Sequence, residues 1–379
     1  MFKLYLFLSS AIILFIYWKK FYKNFIPDKN IKYKSIDCIR GYLSLGVFFY
    51  HFLVSIQYFK IDLWIAHKTY FPINNVGIFS VFIFFMITSF LFFGKFLDCN
   101  FKNFSWKNFL ISRIFRLLPL YIFYGIISTF LYFAVNDNEI LDYKKITNYL
   151  KFFVKLFDFS ILNIKKNEIS NVFGVIWTLQ VEFYFYLSLP LIFLLYKITK
   201  SQKIASIILI YILGILYFSV NRFYFNYCIN YFLLGMLASF GVRNKKFTSF
   251  FLRKDVGFLV FIIFLFNILL SKNNIEFSVT ILGLFFFVVV VNNSIIIQIF
   301  DKKISYFLSN ISYSVYLNHS IVLYLILKII GRELLINMNF IELLMLCLMN
   351  LVLIIIFSDL TYRLIEKPFI EFGRKLKSW

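Results

Sequence analysis

SIDCIRGYLSLGVFFYHF, residues 35–52, carries Arg40 near its start and His51 eleven positions later in an otherwise apolar run. Between the two, only Tyr42, Ser44 and Tyr50 have a polar side-chain atom. At about 100° per residue, eleven steps make roughly three turns plus 20°, so Arg40 and His51 share one helix face. The helical rise sets His51 roughly 16 Å deeper than Arg40, near the middle of a bilayer core about 30 Å thick. An ionisable group at that depth is costly and marks a functional site. Taken alone, Arg40 reads equally as a residue snorkelling to the interface, and His51 as a hydrogen-bonded interior histidine. The pair on one face favours function, because a neutral histidine at that depth can act as a general base toward a hydroxyl.

Composition agrees with a membrane setting. Of 379 residues, 61% are hydrophobic and 23% aromatic, which excludes a soluble domain. The expected fold class is an all-α polytopic membrane protein, with candidate spans at 4–18, 40–59, 77–97, 111–134, 174–196, 204–220, 223–241, 256–271, 277–297, 307–330 and 340–363. The first is short, lacks a small-residue cleavage site and ends in Trp18-Lys19-Lys20, so it reads as an N-terminal anchor rather than a signal peptide. The net charge of +22 lies in short loops between spans, where it acts as a topology signal and touches anionic lipid headgroups; nucleic acid is not implied. Cys38, Cys99, Cys228 and Cys347 have no metal or redox spacing and read as apolar fillers.

Orientation follows from the basic residues. Segments 19–39, 95–113, 197–203, 242–255, 298–306 and 363–379 hold 25 of the 40 Lys and Arg; the opposite loops hold 11. The first set is therefore cytoplasmic, with the N-terminus outside and the C-terminus inside. The loop 135–173 is the one long outer segment, and Tyr149–Ile161 within it reads as an interfacial helix.

Four further stretches carry polar groups at informative depths. Arg113 and Arg116 share a face at the cytoplasmic end of a span, where guanidinium forks suit phosphates; positive-inside decoration is the plainer reading. In Trp177-Thr178-Leu179-Gln180-Val181-Glu182, Glu182 lies roughly 12 Å below the outer surface and His51 roughly 14 Å below it. At one depth the carboxylate could orient the imidazole, as in a triad. His319 lies roughly 18 Å into its span, and could bind substrate or be structural. Near the end, Arg363 and Glu366 are spaced to pair, Pro368 is expected to stop the helix, and Asp359 is a candidate cavity residue.

These five motifs, in this order over about residues 35–370, resemble acyltransferase family 3, the bacterial integral-membrane O-acyltransferases acting on surface glycans. The resemblance implies a ten-helix core, with span 4–18 an addition. It implies that Arg40 and His51 are the family's Arg-and-His pair, His51 being catalytic. It places Arg113 and Arg116 near the acyl-CoA site, matches Glu182 to the first acidic residue of a Trp-Thr-Leu…Glu-Glu segment, and matches His319 to the histidine after a Tyr-Ser-Leu-Tyr-Leu stretch. Tyr362–Phe369 matches its terminal Ile-Glu-Lys-Pro segment. Phe183 stands where a second Glu is frequent, and Asn318 where Trp is common. Many relatives carry an outer hydrolase-like domain, so this chain either finishes the transfer itself or needs a separate extracytoplasmic transferase partner.

The expected function is transfer of an acyl group, most simply acetyl, from cytoplasmic acyl-CoA to a hydroxyl of a cell-envelope or exported glycan, in the inner (cytoplasmic) membrane. His51 and Glu182 are the expected catalytic residues, with His51 as general base or brief acyl carrier. Arg40, Arg113 and Arg116 are expected to hold acyl-CoA, and His319, Trp177 and Asp359 to face substrate, with no metal. The acceptor is a glycan or lipid-linked sugar. The rival is a transporter or flippase of a lipid-linked glycan, which paired half-helices or inverted repeats would favour; neither is visible in the sequence. The organisation expected is an anchor and linker (1–34), a transmembrane acyltransferase domain (35–370) and a short cytoplasmic tail (371–379).

Overall fold

The computed structural model describes residues 32–61, 71–99, 104–135, 174–199, 223–270 and 275–377. Among these the chain is helical throughout, with no strand. In order come α1 (Lys34–Ile61), α2 (Phe71–Asp98), α3 (Trp106–Val135), a 3-10 turn (Gly174–Ile176), α4 (Trp177–Thr199), α5 (Phe223–Gly241), α6 (Lys245–Leu252), α7 (Lys254–Leu270), α8 (Ile275–Val290) and α9 (Ser294–Phe300). Then follow α10 (Lys303–Asn310), α11 (Ser312–Ile330), α12 (Arg332–Ile336), α13 (Phe340–Thr361), a π turn (Tyr362–Glu366) and α14 (Lys367–Lys377).

Five of the described helices are long and apolar enough to cross a membrane: Lys34–Ile61, Pro72–Asp98, Trp106–Ser128, Ser312–Ile330 and Phe340–Lys377. The expected spans 4–18 and 204–220 and the interfacial segment Tyr149–Ile161 lie outside the described residues. Residues 174–196, 223–241 and 256–270 are helical as expected.

The expected span 277–297 is not one helix. It breaks into Ser278–Val290 and Ser294–Phe300, bent by 82°. Asn292 turns the chain with φ 58°, a conformation that Asn tolerates because its short polar side chain bonds locally. Its Oδ1 accepts from Ser35 Oγ at 2.8 Å, while Asn293 caps α9 and donates to the carbonyl of Phe251 at 2.7 Å. Asn293 Oδ1 also accepts from the N–H of Ile295, one of the groups that the break frees, and the two amides tie the turn to α1 and α6.

Pro368 does not stop the last helix either. It lacks the N–H that the carbonyl four residues earlier would accept, and its ring crowds that carbonyl. The chain widens to a π turn just before it, where the N–H of Lys367 reaches the carbonyl of Tyr362. The extra residue points Glu366 inward: it is 1% exposed and accepts from Ser314 Oγ at 2.9 Å. Arg363 accordingly pairs with Asp359, four residues back, at 2.6 Å and not with Glu366.

α1 runs through the middle of the bundle, against α2 on one side and α10 and α11 on the other. Gly41 lets α10 approach: a Cβ there would strike Leu308 and lie 2.9 Å from the amide of Ser309. Between apolar helices in lipid, van der Waals packing replaces the hydrophobic drive. Here much of it is aromatic, as where Phe185 stacks on Phe232 at 4.5 Å and Phe264 on Phe285 at 3.9 Å. α5 meets α2 at Gly235, where a Cβ would strike Ser89 and the Met86 carbonyl. Gly235→Leu is therefore expected to destabilise the fold by about 1–3 kcal/mol, read as a lower Tm in detergent. An unchanged Tm would mean that this contact is not as close as described.

Candidate functional site

Five helices enclose a cavity of about 290 Å³. α1 gives Arg40; α3 gives Arg113 and Arg116; α11 gives Ser312, Tyr313 and Tyr316. Helical spacing explains the rest. Thr88 and Lys95 are seven apart on α2, and Thr178, Glu182 and Tyr186 recur every four on α4, so each set lies on one face. Four cations and one carboxylate therefore line one small space.

The guanidinium of Arg113 lies 4.6 Å from the centre of the Phe92 ring, and its buried Nε has no hydrogen-bond partner. Arg40 feels the charge of both Arg113 and Arg116, and its own ion pair is with Asp37 at 3.7 Å. Like charges held together out of water are unfavourable until an anion joins them. The site suits a phosphate-bearing ligand, which guanidinium forks grip through paired hydrogen bonds.

His51 is partly exposed, stands off this wall and faces another histidine. His319 Nε2 lies 3.2 Å from His51 Nδ1, with ring centres 4.9 Å apart. Each ring also has Nδ1 on a carbonyl four residues earlier: His51 on Val47 at 3.0 Å, His319 on Val315 at 3.1 Å. Tyr316 is one turn before His319 on α11. It lines the cavity, and its ring centre is 6.0 Å from that of His319. Its hydroxyl donates to the Val175 carbonyl at 3.0 Å and meets Thr178 Oγ1 at 2.6 Å. The imidazole pair thus begins about one helical turn beyond the cationic cavity.

The expected meeting of Glu182 with His51 does not occur. Glu182 Oε1 accepts from Thr88 at 2.8 Å and Oε2 from Tyr186 at 3.3 Å. Equal depth is not equal azimuth, and α4 turns the carboxylate toward α2. Trp177 packs edge-on to Phe85, with centroids 6.2 Å apart. Asp359 is 2% exposed, bonds Arg363 and is off the cavity wall. Asn318 donates to Thr361 at 2.7 Å in the α11–α13 interface and is off that wall too.

A second, apolar groove of about 560 Å³ runs between α3 and α4, and shares Arg113, Leu117, Leu179, Tyr186 and Tyr313 with the cavity. Phe183 lines it. Thr88, Lys95, Tyr186 and Tyr316 were not singled out from the sequence. Lys95 had a signal: it is the only basic residue between Pro72 and Leu97.

A family model described as an acyltransferase domain matches residues 33–359. Three curated proteins of Staphylococcus aureus, from strains COL, MSSA476 and MRSA252, are each 27% identical over 94% of this chain; each bears the name "Putative O-acetyltransferase". The chain spans about 60% of the length of these relatives. No solved structure matches it.

Proposed function

We propose, from the premise that this chain belongs to the acyltransferase-domain family, that it moves an acyl group from acyl-CoA to a hydroxyl of a glycan or lipid-linked sugar. The observation that carries the reading is the cationic cavity lined by Tyr316, one turn before His319 on α11, whose imidazole meets that of His51. The excess of basic residues puts the Arg40 end of α1 in the cytoplasm, where acyl-CoA is made. Its phosphates dock on Arg40, Arg113 and Arg116, with Lys95 at the mouth. Glu182, held by Thr88 and Tyr186, brings a negative charge near Arg113. Acetyl is the simplest acyl group, in keeping with the names of the relatives.

The chemistry balances on one nitrogen. His51 takes the proton of the acceptor hydroxyl as its oxygen bonds the thioester carbon. The C–S bond breaks, and the departing thiolate receives that proton. The acceptor approaches from the side opposite the arginines, and in this scheme no step uses a metal. If His51 instead carries the acyl group, its nitrogen bonds the thioester carbon as the C–S bond breaks, the acceptor oxygen then bonds that carbon as the C–N bond breaks, and the hydroxyl proton ends on the thiolate.

A flippase reading draws some support from the broken helix at Asn292, since transporters use such breaks. No residue of α8 or α9 lines the cavity, however. Purified protein in liposomes, given acyl-CoA and then surface glycan, is expected to release free CoA thiol beyond one equivalent only when glycan is added. Glycan movement across the bilayer with no thiol release would establish the rival.

A further inference from the structure

We infer that His319 is a positioning residue that fixes the tautomer of His51 and leaves Nε2 of His51 as the basic nitrogen. The inference rests on the proposal that His51 is the base, and adds which of its nitrogens acts and what holds it.

The argument counts protons. A neutral imidazole has one N–H and one lone pair. The Val315 carbonyl can only accept, so Nδ1 of His319 carries the hydrogen and Nε2 presents a lone pair. That lone pair faces Nδ1 of His51 at 3.2 Å. The Val47 carbonyl, also an acceptor only, faces the same Nδ1 at 3.0 Å. Two acceptors converge on one nitrogen, so that nitrogen is the N–H. The neutral ring then carries no hydrogen on Nε2, whose lone pair can take a proton from a hydroxyl.

His319 is 0% exposed, which suits holding another group better than touching substrate, the role expected from sequence. It stands where a triad has its carboxylate. When Nε2 of His51 gains a proton, the Nδ1–H becomes a charge-assisted donor, and its bond to His319 strengthens. A neutral acceptor does this without burying a permanent anion beside the base, which the middle of a bilayer penalises. One charge can be shared across the pair. Two would set N–H against N–H.

The chain has only three histidines, His51, His67 and His319, so ring nitrogens can be read directly. Full-length protein labelled with 15N-histidine is examined by long-range proton–nitrogen correlation in nanodiscs, with His51→Gln and His67→Gln for assignment. The expected result is Nδ1–H and bare Nε2 on His51. A His51 carrying its proton on Nε2 overturns the inference, whatever the activity. Turnover gives the second arm. His319→Leu is expected to lower kcat roughly 10- to 100-fold at unchanged KM for acyl-CoA. His319→Gln, whose carbonyl restores an acceptor near the lost Nε2, recovers most of it. Equal loss in both variants, or a raised KM, refutes the positioning role. A fully active His51→Gln protein would instead refute the underlying reading and leave the tautomer measurement standing.

Discussion

His51→Gln is expected to lose roughly 10²- to 10⁴-fold in kcat for acyl transfer, the usual worth of a positioned general base. The loss should fall on kcat, because His51 is not part of the cationic cavity wall and should leave binding of the CoA moiety alone. Folding is not the expected cause. His51 is partly exposed, and Gln keeps a group that can donate to the Val47 carbonyl. The measurement is transfer of labelled acyl from acyl-CoA in proteoliposomes, beside a separate CoA-binding titration on the same preparation. Activity within threefold of wild type would remove His51 from the chemistry. Loss of CoA binding in step with activity would show that His51 belongs to the donor site.

The same residue shows how far the sequence could be read. Spacing alone puts Arg40 and His51 on one face and at different depths, and the structure seats Arg40 in a cavity wall and His51 off it, against His319 one turn past Tyr316. Spacing works there because both residues ride one helix. It fails between helices. The depths of Glu182 and His51 agree, yet the carboxylate bonds Thr88 and Tyr186. The pairing of His51 with His319 needed the adjacency of α1 and α11, residues 268 apart.

Local departures have local reasons. Asn292-Asn293 is turn chemistry inside an apolar run, and counting apolar residues hid it. Pro368 was a sound signal of a helix stop, but a π turn takes up the geometry that an α-helix cannot. The groove between α3 and α4 left no signal beyond unremarkable apolar faces, because a groove is a property of two helices standing apart.

The position of the arginines leads to the second large effect. Arg113→Met and Arg116→Met are each expected to weaken binding of CoA roughly tenfold to more than a hundredfold, since a hydrogen bond to a charged group is worth about 1.5–3 kcal/mol. Binding should also lose part of its salt dependence, and kcat at saturating acyl-CoA should change far less. Arg113→Lys separates charge from shape: an ammonium keeps the charge but not the fork, so it should recover only part of the affinity. Lys95→Met should cost less than either, because Lys95 is exposed at the mouth and its charge is screened. Stability supplies the control. Arg113 has a buried Nε without a partner, and Arg116 adds like charge beside it. Removing it gives up the contact with Phe92 and the hydrogen bond to Ser112 but relieves desolvation and the repulsion from Arg116, while Glu182 keeps its bonds from Thr88 and Tyr186, so Arg113→Met should keep its Tm within a few degrees while binding is lost. An arginine that merely marked the cytoplasmic side would behave differently: the Met variants would bind CoA like wild type, and the cavity would need another ligand.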